Sequence, residues 1–391
     1  MRDNVGDKQT VEGGQPDFVI LLTTVILLGF GLIMVYSASH HVAYDELGDS
    51  AYFLKRQLIW AFLGMFVLYL TMHIPYLIYR KLIFYLLCVL LVLMVLVLIP
   101  GIGVERFGAR SWLNLKVMSF QPSEFVKLAL LIYLASIFAK KQTYISHFTR
   151  AVLPPLFIVG LFCGLTLLQR DLGTTTMLML FTLIMMFAAG VRLSQMLLMG
   201  LLGAGLFTVF ALTQPYRLER IISTRDPWSD PTGSGYQLIQ SLYALGNGGI
   251  LGTGFDQSIQ KQFYLPFAHT DFIFSVIGEE WGFVGCLAVI LLYVILVFRG
   301  IQVSLRAPDS FAMLLGVGIS IMVGLQAMIN MGVASGLLPV TGLTLPLISY
   351  GGSSLLLTLA SIGILLNISR YAVIESGKEI GDEQVKPHAL Q

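Results

Sequence analysis

The segment His269-Thr270-Asp271-Phe272-Ile273-Phe274 marks the point at which a long polar stretch gives way to an apolar run. The polar stretch extends from Thr213 to Asp271, whereas most of the chain alternates apolar runs with short polar connections. A loop longer than about 15 residues in a compact protein is usually functional or disordered. An amphipathic segment from Tyr236 to Leu245 favours a folded loop. An acid at the point where such a loop re-enters a membrane is suited to chemistry on a lipid-borne polar group.

The composition is typical of a membrane protein. The chain has 391 residues, of which 56% are hydrophobic and 12% are charged, and its mean hydropathy is +0.80. Soluble domains carry about 25% charged residues. The formal net charge of +2 gives no electrostatic basis for binding nucleic acid. Cys88, Cys163 and Cys286 each lie in an apolar run, so they indicate small buried side chains instead of a disulfide or a metal site.

Ten apolar runs approach the length that crosses a bilayer, which is about 20 residues for a helix. The predicted fold is an all-α polytopic membrane protein with ten transmembrane helices. Residues 1–17 and 371–391 are its predicted cytoplasmic tails, residues 18–370 its membrane domain, and residues 213–271 a large extracytoplasmic loop between helices 7 and 8. An even number of crossings puts both tails on one side, and the distribution of Lys and Arg favours the inner side. The runs are Phe18–Ser39, Leu58–Met72, Leu82–Pro100, Ser123–Ala139, Val152–Leu168, Leu172–Ala189, Gln195–Leu212, Phe272–Phe298, Phe311–Ser335 and Thr344–Ser369.

A charged motif opens the fourth run, in the segment Gln121-Pro122-Ser123-Glu124-Phe125-Val126-Lys127. Pro122 suits the first turn of a helix. Glu124 and Lys127 are three residues apart, so they share a helical face and can form an ion pair. Charges this close to hydrocarbon usually face a protein interior or a wet cavity. The pair either fixes helix packing or takes part in a site, and the sequence leaves both roles open.

Asp171 and Asp271 each precede an apolar run, where an acid commonly caps a helix. The alternative for Asp171 is a polar contact in the same outer cavity as Glu124. At Asp271 two features favour a reactive acid over a cap: His269 is two residues away, and a Phe-Ile-Phe wall follows. Desolvation by such a wall raises the basicity of a carboxylate.

The last hairpin has an irregular composition, in Pro339-Val340-Thr341-Gly342 and Pro346-Leu347-Ile348-Ser349-Tyr350-Gly351-Gly352-Ser353-Ser354. These residues permit either close helix packing or a break in a helix, and breaks persist only where they are buried or line a cavity. Asn330, in the preceding run, is predicted to make an interhelical hydrogen bond. Glu279 and Glu280 are predicted either to be buried and paired or to end a shorter, tilted helix.

Four motifs, taken in order, resemble those of the SEDS family, the shape, elongation, division and sporulation proteins of bacteria. They are Met34-Val35-Tyr36-Ser37-Ala38-Ser39, Gln121-Pro122-Ser123-Glu124, His269-Thr270-Asp271-Phe272-Ile273-Phe274 and Leu347-Ile348-Ser349-Tyr350-Gly351-Gly352-Ser353-Ser354. The resemblance runs from about Pro16 to Arg370. Ile277-Gly278-Glu279-Glu280 and Pro339-Val340-Thr341-Gly342 are most similar to the division and sporulation branch.

The resemblance implies a peptidoglycan glycosyltransferase that polymerises lipid II at the outer face of the bacterial cytoplasmic membrane. It implies a single-pass class B penicillin-binding protein as partner, within a division or elongation complex. Asp271 matches the catalytic acid of the family. The residues expected to bind substrate or support the site are Glu124, Lys127, Asp171, His269, Thr270, Arg110, Lys261 and Ser353. The chain departs from the family at Phe267, where Glu is common, and at Arg170, where Pro is common.

The chemistry requires few groups. Forming a β-linked glycan from an α-linked sugar pyrophosphate inverts the anomeric carbon, so one displacement with one general base suffices. The leaving pyrophosphate requires cationic stabilisation, for which Arg is best suited. No cofactor is evident, and a divalent cation could share this task. The outer basic candidates are Arg106, Arg110, Lys116, Arg217, Arg220 and Lys261.

Two other functions are compatible with ten crossings and buried charges. A flippase or transporter for a lipid-linked precursor would need a polar path through the full thickness of the membrane, whereas the polar motifs gather near the outer ends. A non-catalytic scaffold would leave the His-Thr-Asp loop without a role.

Overall fold

The computed structural model describes residues 14–106, 109–114, 119–212 and 223–372, and ten apolar helices lie in these ranges, one for each predicted run. A shorter helix lies in the long loop, and three short strands lie between the third and fourth apolar helices. The elements are α1 (Phe18–Leu47), α2 (Tyr52–His73), α3 (Tyr76–Leu98), β1 (Gly103–Arg106), β2 (Ala109–Asn114), β3 (Ser119–Phe120), α4 (Pro122–Lys140), α5 (Leu153–Leu168), α6 (Leu172–Ala188), α7 (Leu193–Leu212), α8 (Tyr236–Gly248), α9 (Ile273–Leu305), α10 (Ser310–Ala334) and α11 (Gly352–Tyr371).

Eight helices of the described ranges are long and apolar enough to cross a membrane. α6 and the part of α7 up to Gly205 are shorter apolar helices. The chain is therefore a multi-pass helical membrane protein, as predicted. The number of ten crossings stays a prediction.

The helix ends follow the capping residues of the sequence. Asp17 caps α1 by accepting a hydrogen bond from the Ile20 N–H at 3.1 Å. Asp309 caps α10 in the same way, with the Phe311 N–H at 2.9 Å. Pro122 opens α4 at a position where its missing N–H leaves no bond unmade. These caps satisfy N–H groups that a helix cannot satisfy itself.

Helices α4, α10 and α11 form the centre of the bundle. In each of them 72% of the most apolar stretch is buried, compared with 22% in α2 and 28% in α3 and α9. The outer helices therefore expose apolar side chains, as expected of surfaces that face lipid. The central helices carry most of the buried polar residues described below.

The predicted start of the last run is wrong. α11 begins at Gly352 instead of Thr344, and residues 335–351 form a non-helical connection that we call the linking segment. Leu345 and Ile348 of this segment are completely buried. Gly31 of α1 permits its close approach, because a Cβ at Gly31 would lie 2.5 Å from the Leu347 carbonyl oxygen. Hydropathy alone does not separate a buried irregular segment from a helix.

A three-stranded antiparallel sheet, β1-β2-β3, was not predicted. Val104 pairs with Trp112, and Leu113 pairs with Phe120. The Arg110 N–H donates to the Gln169 carbonyl at 3.0 Å, which attaches the sheet to the turn before α6. The strands are too short and mixed in composition to give a clear alternating pattern.

The long loop is folded over the part that the structure describes. α8 confirms the predicted amphipathic segment and buries Leu238 and Ile239. Its Ser241 hydroxyl lies 2.5 Å from the Ser275 hydroxyl of α9 and donates to the Ala334 carbonyl of α10 at 2.6 Å. Residues 213–222 lie outside the described residues.

The two ends of the described helical region meet at one end of the bundle. The Gly14 N–H donates to the Arg370 carbonyl at 2.8 Å, and Asp17 forms an ion pair with Arg299 at 2.9 Å. An even number of crossings produces this geometry. Asp271 precedes the first turn of α9, whereas Arg299 lies near its last turn, so Asp271 is at the opposite end. Of the predicted tails, 1–17 and 371–391, residues 1–13 and 373–391 lie outside the described residues.

Candidate active site

Asp271 lies in the turn immediately before α9 and is partly exposed. Its backbone carbonyl accepts a hydrogen bond from Asn330 Nδ2 of α10 at 2.7 Å. The adjacent linking segment passes close to its carboxylate, because a Cβ at Gly342 would lie 3.8 Å from Asp271 Oδ2. The acid is therefore held against α10 and the linking segment.

The linking segment is fixed by polar side chains from several helices. Asn330 Nδ2 also donates to the Leu343 carbonyl at 2.8 Å, and Gln326 Nε2 donates to the Thr344 carbonyl at 2.9 Å. From α2, Gln57 Nε2 donates to the Ser349 carbonyl at 3.1 Å. These bonds satisfy backbone groups that a helix would have satisfied internally. The prediction of an interhelical hydrogen bond for Asn330 is wrong, since its partners are backbone carbonyls of two non-helical segments.

Glu124 and Lys127 form a buried ion pair in the first turns of α4. Lys127 Nζ lies 2.9 Å from Glu124 Oε1 and 2.8 Å from Glu124 Oε2, and the Lys127 side chain is 0% exposed. Lys127 Nζ also donates to Gln326 Oε1 at 2.8 Å. This confirms the predicted pairing and adds Gln326 as a third member.

Helix α10 connects the ion pair to Asp271. Gln326 and Asn330 are four residues apart and therefore lie on one face of the helix. Gln326 joins Lys127 to the Thr344 carbonyl, and Asn330 joins the neighbouring Leu343 carbonyl to the Asp271 carbonyl. A continuous series of contacts thus runs from Glu124 to the backbone of Asp271.

Asp171 is a helix cap that also contacts the start of α4. Its Oδ1 accepts from the Thr174 N–H at 2.9 Å, and its Oδ2 accepts from the Thr174 hydroxyl at 2.8 Å. Gln121 Nε2 and the Ser123 hydroxyl each lie 3.4 Å from Oδ2. Desolvation raises the pKa of Asp171 above its ordinary value, while the bonds from Thr174 oppose the shift. Both of the roles considered for Asp171 are therefore compatible with its position.

Ser353 lies beside the same motif, at the start of α11. Its hydroxyl accepts a hydrogen bond from the Gln121 N–H at 3.3 Å. The neighbouring Ser354 hydroxyl accepts from the Thr344 hydroxyl at 2.9 Å. The predicted Gly-Gly-Ser-Ser motif thus joins α11 to α4 and to the linking segment.

His269 and Thr270 contact the linking segment. The His269 ring packs against Phe53 and Tyr350, with ring centroids 4.4 and 5.7 Å away. The Thr270 carbonyl accepts from the Ser349 hydroxyl at 2.6 Å. Burial lowers the pKa of His269 from its ordinary value to about 4. The His269 ring is therefore neutral at physiological pH and packs as an aromatic group near the acid.

Lys261 belongs to a separate buried cluster between the long loop, α1 and α9. Its Nζ lies 2.8 Å from Glu280 Oε1 and 2.9 Å from the Ser37 hydroxyl, and it also pairs with Asp256. Lys261 is 1% exposed, and its ammonium group is neutralised by the carboxylates of Asp256 and Glu280. The structure does not bring Lys261 into the group around Asp271.

Glu279 and Glu280 precede a break in α9, where Gly282 has a φ of 66°. Both are buried. The break frees their backbone carbonyls, which accept from the N–H groups of Thr253 at 2.9 Å and Gly254 at 3.1 Å in the long loop. The first predicted alternative is confirmed, since both acids are buried and Glu280 is paired with Lys261. The acids do not end the helix, because α9 continues past the break to Leu305.

Arg110 lines a cavity of about 240 Å³ together with Glu105 and Arg170. Its guanidinium lies 3.7 Å from Glu105. Arg170 has a φ of 62°, a conformation that a proline could not adopt. The side chain of Arg106 and all of Lys116, Arg217 and Arg220 lie outside the described residues. The predicted divalent cation remains a prediction.

Comparisons with known proteins agree with this architecture. A family model described as cell cycle protein, which takes in FtsW, RodA and SpoVE, matches residues 18–373. Stage V sporulation protein E of Bacillus subtilis is 46% identical over 363 residues, covering 93% of this chain and 99% of the relative. The probable peptidoglycan glycosyltransferase FtsW of Trichlorobacter lovleyi is 47% identical over 353 residues, covering 90% and 93%.

Solved structures show the same fold. A chain from a structure described as a peptidoglycan synthase complex that coordinates polymerization and crosslinking is 34% identical, with a TM-score of 0.75, covering 91% of this chain and 98% of that chain. The rod shape determining protein RodA of Thermus thermophilus is 30% identical, with a TM-score of 0.66, covering 91% and 97%. The chain belongs to the FtsW, RodA and SpoVE family, which confirms the resemblance that its motifs indicate.

Proposed function

We propose that this protein is a peptidoglycan glycosyltransferase that polymerises lipid II, with Asp271 as the general base. Relatives at 46% and 47% identity are named as a sporulation protein and as a probable glycosyltransferase of this kind. The geometry supports this role because Asp271 is partly exposed and its backbone carbonyl is held by a hydrogen bond from Asn330 Nδ2 at 2.7 Å. Glu124 is held in a buried ion pair and Asp171 caps a helix, whereas Asp271 is partly exposed in the turn before α9.

The reaction needs one displacement. The acceptor hydroxyl oxygen attacks the anomeric carbon of the donor sugar, and its proton passes to the Asp271 carboxylate. The bond from the anomeric carbon to the pyrophosphate oxygen breaks, and its electron pair leaves with the lipid pyrophosphate. Basic groups near the site would stabilise that charge. Among the candidate arginines whose side chains the structure describes, Arg110 is the best suited, because it is partly exposed.

Glu124 and Lys127 act in this proposal as positioning residues. Lys127 orients Gln326, and Gln326 holds the linking segment at Thr344. That segment also contacts Asp271 through Asn330. A misplacement of about 1 Å can lower a rate by about 100-fold, so the pair could be essential without touching the substrate.

The orientation follows from the proposed substrate. Lipid II is polymerised outside the cytoplasm, so the end of the bundle that holds Asp271 faces outward and both tails face inward. A class B penicillin-binding protein is the proposed partner, in keeping with a structural relative found in a peptidoglycan synthase complex.

The test is polymer formation from lipid II by the purified protein, with and without a class B penicillin-binding protein. Asp271→Asn keeps the shape of the side chain but does not accept a proton, so it should lower the rate by at least about 100-fold. Asp45→Asn is the matched control, because Asp45 is an exposed acid at the same end of the bundle. Near-normal polymer from Asp271→Asn in a folded protein would refute the assignment.

A lipid transporter remains the second candidate from the sequence, but the described core does not favour it. Beyond Lys127, the inward faces of α4 and α10 continue with completely buried Leu130, Leu134, Phe138, Leu315 and Ile319. A transporter would have to move a polar headgroup through this apolar region. Movement of fluorescent lipid II across proteoliposomes, without polymer formation, would favour it.

A further inference from the structure

A second cavity lies at the end of the bundle opposite Asp271. Its volume is about 720 Å³, and α3 and α4 form its walls. Cavities that bind small molecules usually have volumes of about 300–1,000 Å³. The proposed polymerisation uses none of the residues that line it.

Three cations line this cavity, Arg80 and Lys81 from α3 and Lys140 from α4. Within the described part of the chain, no carboxylate forms an ion pair with any of them. The Arg80 guanidinium is held 5.6 Å from the centre of the Phe311 ring. The cavity therefore carries a concentrated positive charge.

Apart from Tyr133 and Ser136, the remaining lining is apolar, and it continues onto the outer surface of α3. Leu77 is 46% exposed and Phe84 is 70% exposed. Ile83 and Ile137 are further apolar lining residues. A ligand with a charged head and a hydrocarbon tail would match the cations at the end of the helices and the apolar face beside them.

We propose that this cavity binds the phosphate headgroup of an anionic phospholipid, with the acyl chains lying along the exposed face of α3. Basic pockets between transmembrane helices commonly bind anionic lipid headgroups. The placement of this lipid in the inner leaflet rests on the orientation given under the proposed function. The binding itself does not depend on that orientation or on the polymerase activity.

Native mass spectrometry of the purified protein in mixed micelles tests the site. Equal amounts of phosphatidylglycerol and phosphatidylcholine are the probes, and inorganic phosphate is added in a separate arm. The protein should retain phosphatidylglycerol preferentially. The triple variant Arg80→Gln, Lys81→Gln and Lys140→Gln should weaken that retention by roughly a hundredfold, since each of the three basic residues near anionic lipid contributes about fivefold.

A matched variant removes the same charge from the same end of the bundle, outside the cavity: Arg150→Gln, Arg192→Gln and Arg306→Gln. It should retain the lipid as the unaltered protein does. Equal loss in both triple variants, or no preference in the unaltered protein, overturns the proposal. Displacement of the lipid by millimolar phosphate, with no preference between the two lipids, would make this a small-anion site and also overturns it.

A second measurement leaves all three cations in place, in case the triple variant does not fold. Tryptophan is introduced by Phe84→Trp beside the cavity, or by Phe157→Trp on α5, where the original side chains are 70% and 73% exposed. Brominated phosphatidylglycerol should quench the fluorescence added by Phe84→Trp more than brominated phosphatidylcholine does. The fluorescence added by Phe157→Trp should respond equally to both lipids. Equal quenching by both lipids at Phe84→Trp contradicts the proposal.

Discussion

Asn330→Leu tests whether the series of contacts from α4 to Asp271 positions the acid. The substitution keeps the approximate size of the side chain but removes both hydrogen bonds that Asn330 Nδ2 donates, at 2.7 Å to the Asp271 carbonyl and 2.8 Å to the Leu343 carbonyl. A buried acceptor left without a partner costs about 1–3 kcal/mol. The Leu343 carbonyl should incur most of that cost, since its bond is buried and the Asp271 bond is only partly buried.

The expected result is a loss of stability of about 1–3 kcal/mol and a larger loss of rate. If the acid moves by about 1 Å, the polymerisation rate should fall by about 100-fold. Because the carboxylate itself is unchanged, the effect should fall on kcat more than on the KM for lipid II. The assays are thermal unfolding in detergent and polymer formation from lipid II at several concentrations.

Asn367→Leu is the matched control. Asn367 is 0% exposed, and it accepts from the Tyr76 N–H at 3.0 Å and donates to the Met72 carbonyl at 2.7 Å, at the end of the bundle away from Asp271. It should lower stability by a similar amount and leave kcat nearly unchanged below the unfolding temperature. Equal effects of the two variants on kcat would refute the positioning role of Asn330.

Three further predictions follow from the buried charges and from His269. Lys127→Met should destabilise the protein by about 3–5 kcal/mol, because Glu124 is left as an unpaired buried charge. The exchange Glu124→Lys with Lys127→Glu should recover stability, measured by thermal unfolding, but not polymerisation. Full polymerisation by the exchanged protein would contradict the role of Lys127 in orienting Gln326. Lys261→Met should destabilise the protein by leaving Glu280 unpaired, and Lys261→Arg should preserve more of the stability; an unchanged unfolding temperature for Lys261→Met would contradict the buried pair. The pKa of His269 is lowered to about 4 in the folded protein, so between about pH 6.5 and pH 4 the unfolded chain binds a proton at this residue and the folded protein does not. The free energy of unfolding should therefore fall as the pH drops through that range. His269→Phe should show a smaller fall, and an identical pH dependence in both proteins would rule out this contribution.

The sequence predicts the helical positions well, because hydropathy over about 20 residues is a strong signal. It leaves open a break in the last hairpin, but it does not predict which residues, 344–351, are non-helical. The conformation of the linking segment depends on Gln57, Gln326 and Asn330, which lie elsewhere in the chain. An isolated glutamine in an apolar run, such as Gln326, is the signal that could have indicated such a contact.

The sequence also predicts the pair of Glu124 and Lys127, because the two residues are separated by one helical turn. The pairing of Lys261 with Glu280 could not be predicted in the same way. Lys261 lies in an irregular part of the long loop, and its position beside α9 depends on the break at Gly282 and on the loop residues that bind there. Spacing along the chain carries no information about such a contact.

The buried polar side chains and the irregular linking segment have a common physical explanation. Non-helical backbone at membrane depth persists only where its polar groups find partners in the protein. Here the carbonyls of Leu343, Thr344 and Ser349 each accept a bond from a side-chain amide, and the carbonyl of Pro346 accepts one from the Tyr293 hydroxyl. A regular helix over these residues would need none of these partners. The buried amides thus allow an irregular backbone to lie beside Asp271, which is how residues deep in the bundle can govern the geometry of an acid at its edge.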